Sequence, residues 1–358
     1  MLRPSARGIS SPFIASIAFN FQVPATLHQN STTETKLMRD TKNLKIVFFG
    51  TPDFAVASLE AILAAGYDVA AVVTAPDKPA GRGKHLMQSA VKEAAVRHGI
   101  EVLQPEKLKN PEFIEKLRSI AADIFVVIAF RMLPEAVWTM PELGTFNLHA
   151  SLLPRYRGAA PINWAIINGE KETGVTTFLL KHEIDTGDVI GRERIEISDN
   201  DDAGIIHDRL MELGARLTVD TLDRISAGTL TAVPQNQLDG GIEPCAAPKI
   251  FKDTCHINWH KPAAEIRNLI RGLSPYPAAW TQMEADGTDA GSIKIFSARI
   301  TDKASSEPGR VTLDGHGHMT VDCGDYALEI TSLQPQGKRR MATEEYLRGC
   351  RFSSIKFS

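Results

Sequence analysis

The stretch LKIVFFGTPDFAVASLEAILAAG, residues 44–66, decides the fold that this sequence predicts. It begins with an apolar run that ends in Gly50, which is typical of a β-strand buried on both faces. The rest predicts a helix, with Thr51 as N-cap, Pro52 at the first helical position and Gly66 as the stop. A buried strand that leads directly into a helix is the repeating unit of parallel α/β sheets.

The same alternation of apolar strands and amphipathic helices continues along the chain. Candidate strands are YDVAAVVTAP, EVLQP, DIFVVIAF, LGTFNLHAS and TGVTTFLL, and candidate helices are SAVKEAAVRHG, NPEFIEKLRSIA and a long one over residues 203–226. This order predicts a Rossmann-like α/β fold, a mostly parallel sheet with helices on both faces. The first turn, FFGTPDFA, lacks GxGxxG, and the sequence contains no GxxxxGK[ST], which argues against dinucleotide binding and nucleotide hydrolysis.

The sequence changes character after Gly228. PQNQLDGGIEPCAAPK is typical of a linker, and the short strands beyond it predict a small β-barrel or a sandwich. The predicted organisation is an N-terminal extension over residues 1–43, an α/β domain over 44–228, a linker over 229–247 and the β-barrel over 248–358. We expect the extension to be disordered or to reflect a mis-assigned start, with translation from Met38, and a signal or transit peptide is the alternative.

Composition narrows the classes of function. The 358 residues carry a formal net charge of -3, so any nucleic-acid contact must come from local basic patches rather than from the overall field. No apolar run reaches the roughly 18 residues of a membrane span. The four cysteines are widely spaced, which predicts reduced thiols in a cytoplasmic protein. Cys255, His256 and His260 form the one metal-like cluster, and because a fourth ligand is missing we expect no metal.

Polar residues follow an apolar strand in the segment NLHASLLPRYRGAAP, residues 147–161. Asn147 and His149 are two positions apart, a spacing that points both side chains to one face of a strand. An amide and an imidazole on one face suit an oxygen that gains negative charge during acyl transfer. The alternative is that both side chains satisfy buried backbone groups at the end of the strand.

A second polar segment, EIDTGDVI, places Asp185 and Asp188 in a tight turn after another strand. A carboxylate near the mouth of a cleft can orient His149 or take a proton from an attacking amine. The alternative is an ordinary turn with Gly187 in the left-handed region of backbone conformation.

The SLLPRYRG loop has a separate interpretation. Pro154 and Gly158 stiffen a loop whose backbone, residues 151–153, can hydrogen-bond a flat heterocycle beside apolar side chains. Arg155 and Arg157 can meet carboxylates or phosphates, or they can brace the loop.

Several segments taken together resemble the methionyl-tRNA formyltransferase family. They occur in the family's order from about residue 44 to the C-terminus: FFGTPDFAVASLEAIL, PDKPAGRGKHLM, NLHASLLPRYRGAAPINWAIINGE, TGVTTF, DTGDVI and SLQPQGKRRM. NxHxSLLPxxRG followed by DTGD is typical of formyltransferases that use 10-formyltetrahydrofolate, and the PAGRGK loop and the C-terminal region narrow the resemblance to the tRNA enzyme. The first 43 residues have no counterpart in the family, and IAFRMLP replaces a Tyr-Gly-rich segment, a departure that concerns the pocket wall at residues 130–133.

The resemblance implies transfer of a formyl group from 10-formyltetrahydrofolate to the free amino group of methionyl-initiator tRNA. It also implies that residues 248–358 form an OB-like β-barrel that adds contacts to the tRNA. The catalytic residues that it implies are Asn147, His149 and Asp185. The folate-binding residues that it implies are Ser151, Leu152, Leu153 and Pro154. The residues expected to contact tRNA are Lys78, Arg82, Lys84 and His85 in the PAGRGK loop and the C-terminal basic run Lys338, Arg339 and Arg340. Each basic run has an alternative interpretation as a solvated face.

Two other functions fit parts of the pattern. A related formyltransferase that acts on a sugar-nucleotide or purine-precursor amine would share the catalytic and SLLP residues, whereas the basic PDKPAGRGKH segment and the β domain favour tRNA. A non-catalytic nucleic-acid-binding protein would not need Asn147, His149 and Asp185 together. The expected partners are therefore the initiator tRNA and the folate co-substrate, with no metal and no membrane, for a monomeric protein.

Overall fold

The computed structural model describes residues 43–80, 85–238 and 243–358. Residues 1–42 of the predicted extension lie outside the described residues, as do Arg82 and Lys84 of the predicted tRNA-binding loop.

The first part of the chain alternates strands and helices, as predicted. In chain order its elements are β1 (Lys45–Gly50), α1 (Asp53–Ala64), β2 (Asp68–Val73), β3 (Lys78–Ala80), β4 (His85–Met87), α2 (Ala90–Arg97), β5 (Glu101–Leu103), α3 (Pro111–Ser119), β6 (Ile124–Ile128), α4 (Glu135–Trp138), β7 (Thr145–His149), β8 (Arg155–Gly158), α5 (Pro161–Ile167), β9 (Glu172–Leu179), β10 (Val189–Glu196) and α6 (Ala203–Ser226).

The second part is mostly strands. Its elements are β11 (Cys245–Ala247), α7 (Ala263–Leu273), β12 (Ala279–Ala285), β13 (Thr288–Ala304), β14 (Val311–Leu313), β15 (Met319–Asp322), β16 (Tyr326–Pro335), β17 (Met341–Ala342), α8 (Thr343–Arg348) and β18 (Ile355–Phe357), with 3-10 turns at Gln235–Gln237 and Asp253–Cys255.

The first sheet has the strand order β10-β9-β7-β6-β1-β2-β5. Its strands from β7 to β5 are parallel, and β9 and β10 add an antiparallel edge, which confirms the predicted mostly parallel sheet. Alternate side chains of β1 enter different cores because successive residues of a strand point to opposite faces. Phe48 packs in one core with residues of α1, α2, α5 and α6, and Phe49 packs in another with residues of α3 and α4.

The first helix begins one residue later than the sequence predicts. Pro52 is the N-cap and Asp53 the first helical residue, and no side chain caps the helix, so the predicted roles of Thr51 and Pro52 are wrong by one position. The long helix α6 spans the predicted residues, and the Asp202 carboxylate caps it by accepting a hydrogen bond from the Ile205 amide at 3.0 Å.

The second sheet is antiparallel, with the order β14-β15-β16-β13-β12-β18 and β17 paired to β16. Its two ends approach each other, because the Phe357 amide donates to the Gly309 carbonyl at 2.8 Å and Arg310 bridges Lys356. Buried apolar side chains of α7 and the strands, among them Ile270 and Leu328, fill its interior. This nearly closed barrel-like sheet agrees with the predicted small β-barrel.

The predicted linker does not simply cross the surface. Val233 forms an antiparallel bridge with Val189 of β10, and Cys245–Ala247 pairs in parallel with β8. The described parts of this segment therefore pack against two elements that flank the predicted site, whereas its role as a domain boundary stays a prediction.

Candidate active site

Asn147 and His149 lie at the carboxyl end of β7, where the parallel strands give way to the antiparallel edge. Both side chains line one cavity of about 700 Å³. Ligands of open α/β sheets bind at the carboxyl ends of strands, where the direction of strand order changes. The cavity thus lies where this architecture favours a binding site.

His149 is buried and its two ring nitrogens have different neighbours. Nε2 lies 2.8 Å from the backbone oxygen of Tyr156. A carbonyl only accepts hydrogen bonds, so Nε2 carries the ring proton and this partner assigns the tautomer. Nδ1 faces the carboxylate of Asp185, with 3.8 Å between Nδ1 and Oδ2.

Asp185 is held in an unusual backbone conformation. Its φ is +54°, in the left-handed region that residues with a Cβ rarely adopt. The Gly158 amide donates to Asp185 Oδ2 at 2.8 Å and so fixes the carboxylate beside His149. Asp188 instead pairs with the Lys181 ammonium, with 2.7 Å between Oδ1 and Nζ.

The alternative interpretation of this turn, with Gly187 in the left-handed region, is wrong, because the left-handed residue is Asp185. Gly187 has a different reason to be a glycine: a Cβ built there would lie 1.6 Å from the backbone oxygen of Leu179. The close approach of two backbone segments therefore excludes any side chain at this position.

The Asn147 side chain is half-buried, and among the described residues no hydrogen bond to its amide is found. The alternative in which both polar side chains satisfy buried backbone holds for His149 Nε2 but not for Asn147. An unpartnered amide that lines a cavity is available to a ligand oxygen.

Apolar side chains form most of the cavity wall. They include Val127, Phe130, Met132, Leu133, Trp138 and Leu180. The departure IAFRMLP therefore does contribute to the pocket wall, as expected. A cavity of this size, with a mostly apolar wall and several polar side chains, suits a small organic ligand with a flat ring.

The predicted folate-binding residues do not line this cavity. Ser151 and Leu153 are fully buried. The Ser151 hydroxyl donates to the Arg155 carbonyl at 2.7 Å, and Thr176 Oγ1 donates to the Ser151 carbonyl at 2.6 Å. The hydroxyl and carbonyl of Ser151 are thus used within the protein, and folate contact by Ser151, Leu152, Leu153 and Pro154 stays a prediction.

Arg155 and Arg157 brace the loop. Arg155 pairs with Glu170, which also accepts a hydrogen bond from the Tyr156 hydroxyl at 2.6 Å. Burial and this hydrogen bond raise the pKa of Tyr156, so its hydroxyl remains a neutral donor. Arg157 donates to the side-chain oxygen of Gln235, a buried residue that the sequence-based interpretation missed. A glutamine between a proline and polar residues carries no local signal of such a role.

The predicted tRNA-binding residues lie in two places. Lys78 is exposed and lies in β3, which pairs with β4 to form a hairpin. His85 is the first residue of β4. The base of this hairpin is anchored because Asp77 accepts hydrogen bonds from Lys92 and Gln104. These bonds lower the pKa of Asp77.

The three residues of the C-terminal basic run differ in their contacts. Lys338 is exposed, and no partner of its ammonium is found among the described residues. Arg339 pairs with Glu345. The Arg340 guanidinium lies 4.4 Å from the centre of the Phe296 ring, and its Nε donates to Ser332 Oγ at 3.0 Å.

In the part of the chain that the structure describes, no group of three His, Cys, Asp or Glu side chains could hold a metal ion. None of the described helices is long and apolar enough to cross a membrane.

Comparison with protein families gives two matches. The family described as "Formyl transferase" matches residues 44–222, and the one described as "Formyl transferase, C-terminal domain" matches residues 249–351. The first match includes the whole parallel sheet and all three predicted catalytic residues.

Several bacterial proteins are similar over most of their length. The methionyl-tRNA formyltransferase of Bacteroides fragilis is 52% identical over 309 residues, which make up 86% of this chain and 95% of that protein. The enzyme of the same name from Parabacteroides distasonis is 52% identical over 311 residues, covering 86% and 96%. The one from Caldanaerobacter subterraneus is 47% identical over 308 residues, covering 86% and 97%.

Solved structures of lower identity share the fold. One is an N-formyltransferase from Helicobacter canadensis in complex with folinic acid and dTDP-3-aminofucose, with a TM-score of 0.58, 22% identity and coverage of 80% of this chain and 98% of that one. Another is HypX from Aquifex aeolicus with tetrahydrofolic acid, with a TM-score of 0.57, 16% identity and coverage of 85% and 47%.

Proposed function

This chain belongs to the methionyl-tRNA formyltransferase family, and from that premise we propose that it transfers a formyl group from 10-formyltetrahydrofolate to the amino group of methionyl-initiator tRNA. The observation that carries the chemistry is the convergence of three groups on one cavity: the unpartnered Asn147 amide, His149 and Asp185. The family supports the formyl-folate donor, and relatives with about half of their residues identical support the choice of amine.

The nucleophile needs positioning more than activation. A free α-amino group has a pKa of about 7.7–8.0, and the neighbouring ester of an aminoacyl-tRNA lowers it, so a neutral fraction exists near pH 7. Holding this amine against the formyl carbon replaces an encounter between two molecules by a reaction within one complex. The site therefore has to align the two substrates and stabilise the charge that develops.

In the proposed first step the amine nitrogen bonds to the formyl carbon, and the carbonyl electron pair moves to oxygen. The Asn147 amide donates a hydrogen bond to this oxyanion. The unprotonated Nδ1 of His149 accepts the proton that the amine nitrogen loses. Asp185, with its carboxylate 3.8 Å from Nδ1, offsets the positive charge of the ring while the ring holds this proton.

In the proposed second step the bond from the formyl carbon to N10 of the folate breaks. The oxyanion electrons re-form the carbonyl, and the protonated Nδ1 of His149 returns its proton to N10. The products are N-formylmethionyl-tRNA and tetrahydrofolate, with each proton accounted for. Because Nε2 remains bonded to the Tyr156 carbonyl throughout, one nitrogen serves both transfers.

The apolar wall supports the co-substrate part of the proposal. Phe130, Leu133 and Val127 offer a surface against which a flat ring system can lie, and His149 lines the same cavity. We assign folate binding first to this wall, because the SLLP residues do not line the cavity.

We assign the tRNA contacts to exposed basic groups, because the chain as a whole is slightly acidic. The candidates among the described residues are Lys78 on the β3–β4 hairpin and Lys338 on the second sheet. We further infer that the protein is cytoplasmic, since the four cysteines are free thiols, as expected in a reducing compartment. We also propose that it is a monomer. Light scattering of the purified protein tests the monomer.

One assay separates this function from the alternatives. The purified protein is incubated with 10-formyltetrahydrofolate and either methionyl-tRNA or an amino-sugar nucleotide, and the formylated product is identified by mass spectrometry. We expect formylmethionyl-tRNA alone. Formylation of the sugar nucleotide instead, or tRNA binding without any formyl transfer, would overturn the proposal.

A further inference from the structure

We propose that Gln235 is a positioning residue of the formyl-transfer site, one that holds Asp185 in its place beside His149. This inference rests on the proposed catalytic role of Asp185. It assigns a function in the reaction to the segment that joins the two sheets, a segment whose sequence predicts only a linker.

The Gln235 side chain is buried, with 5% of its surface exposed, and every hydrogen-bonding position of its amide is used. Nε2 donates to the backbone oxygens of Asp185 at 2.8 Å and of Gly187 at 2.9 Å. Oε1 accepts from Arg157, at 3.1 Å from Nε and 2.6 Å from a terminal nitrogen. An amide has two donor hydrogens and one oxygen with two lone pairs, so this set is complete.

These bonds join the two segments that fix Asp185. One segment is the turn that contains Asp185 itself, and the other is the end of β8, where Arg157 precedes Gly158. The Gly158 amide is the group that donates to the Asp185 carboxylate. Gln235 therefore connects the backbone of Asp185 to the strand that holds its side chain.

The backbone of Asp185 needs such support. A residue with a Cβ is unfavourable at a φ of +54°, and such a conformation persists only where surrounding contacts enforce it. Without the two bonds from Gln235, the turn is free to relax toward an ordinary conformation. Relaxation would move the carboxylate away from Nδ1 of His149, from which it is now separated by 3.8 Å.

The substitution Gln235→Glu tests this role with little change of shape. It keeps the length of the side chain and an oxygen for Arg157, but it turns two carboxylate lone pairs toward the carbonyls of Asp185 and Gly187. We expect kcat to fall by about 10- to 100-fold with KM for both substrates unchanged, since a displacement of about 1 Å in a catalytic group has effects of this size. The matched control is Gln237→Glu, an exposed glutamine in the same 3-10 turn, which should leave kcat unchanged.

A double-mutant cycle separates positioning from a general loss of structure. If Gln235 acts through Asp185, then Gln235→Glu should have little further effect in the Asp185→Asn variant, because coupled sites are not additive. Single-turnover rates at high enzyme concentration keep slow variants measurable. A loss of the same factor in both backgrounds would overturn the proposal, and so would a Gln235→Glu enzyme with wild-type kcat.

The outcomes also distinguish this inference from the proposed function. A wild-type protein without formyl transfer, or an Asp185→Asn variant with the wild-type rate, contradicts the function or its catalytic assignment. An impaired Asp185→Asn variant beside a fully active Gln235→Glu variant contradicts the role of Gln235 alone. If circular dichroism shows that Gln235→Glu is unfolded, Gln235→Met, which removes the hydrogen bonds without adding charge, is measured in the same cycle.

Discussion

His149 Nε2 lies 2.8 Å from the backbone oxygen of Tyr156, so Nε2 carries a proton, and in the neutral form of the ring the lone pair is on Nδ1. Nδ1 and the Asp185 carboxylate face each other 3.8 Å apart, too far for a hydrogen bond, and in the neutral form of the ring both are acceptors. Two neighbouring acceptors, Nδ1 and the carboxylate, suit a ligand group that donates hydrogen bonds. A substrate amine is such a group.

The Asn147 amide is the donor that the proposed oxyanion requires. We expect Asn147→Ala to lower kcat by about 100- to 1000-fold with little change in KM, because removing one oxyanion donor typically has this effect. The measurement is the rate of formyl transfer to methionyl-tRNA under saturating substrates. Asn110, which caps α3, provides the control, since Asn110→Ala should cost stability but leave kcat intact. A near wild-type rate for Asn147→Ala would remove Asn147 from the mechanism.

Gly187 is a position where one methyl group should disrupt the site. The Cβ of Gly187→Ala would meet the backbone oxygen of Leu179 at 1.6 Å, and a backbone atom cannot move aside as a flexible side chain can. We expect a loss of about 1–3 kcal/mol in the free energy of unfolding, typical of overpacking, together with reduced formyl transfer. Chemical denaturation and the transfer assay measure the two effects.

The control for this substitution is Gly349→Ala, where the nearest atom to a new Cβ is 3.8 Å away. It should be close to neutral in both measurements. A Gly187→Ala protein with wild-type stability and formyl transfer would contradict the close approach of this turn to β9.

Local patterns predicted the fold better than they predicted the site. Apolar residues at helical spacing predict the helix over residues 203–226. An apolar run followed by polar residues predicts the strand that ends at His149. The contact of Arg157 with Gln235 spans 78 positions of sequence, and no local pattern encodes it. The burial of Ser151 likewise depends on Thr176 of a neighbouring strand, which the spacing of SLLP does not reveal.

Asp322 in the second sheet should make folding stability depend on pH. Burial alone would raise the pKa of this carboxylate, but hydrogen bonds from Ser306 and Glu307 and the charge of Lys303 lower it on balance. The pKa in the folded protein is thus below the unfolded value of about 3.9. Asp322 therefore contributes stability above about pH 4, and this contribution is lost as the pH falls through the folded-state pKa.

We expect Asp322→Asn to lower the free energy of unfolding at pH 7 by about 1–3 kcal/mol, since an amide places a donor among groups that also donate. The difference from wild type should shrink as the pH is lowered below about 4. Urea denaturation at a series of pH values measures both effects, and the exposed Asp302→Asn is the control. A difference that stays constant down to low pH would contradict the assigned shift.

The three residues of the C-terminal basic run should not contribute equally to tRNA binding. Arg339 is already paired with Glu345, and Arg340 contacts Phe296 and Ser332, whereas Lys338 has no partner among the described residues. A phosphate can therefore bind Lys338 without displacing an existing contact.

We expect Lys338→Ala to weaken tRNA binding and to reduce the slope of log affinity against log salt by about 1, the signature of one lost phosphate contact. Arg339→Ala should change the slope less, because the Arg339 guanidinium has to leave its ion pair with Glu345 before it can bind a phosphate. Binding titrations across a range of salt concentrations measure the slopes, and the exposed Lys109→Ala provides a control outside the run. If Lys338→Ala kept the wild-type slope, this run would be a solvated face, and the phosphate contacts would have to come from elsewhere, such as the β3–β4 hairpin.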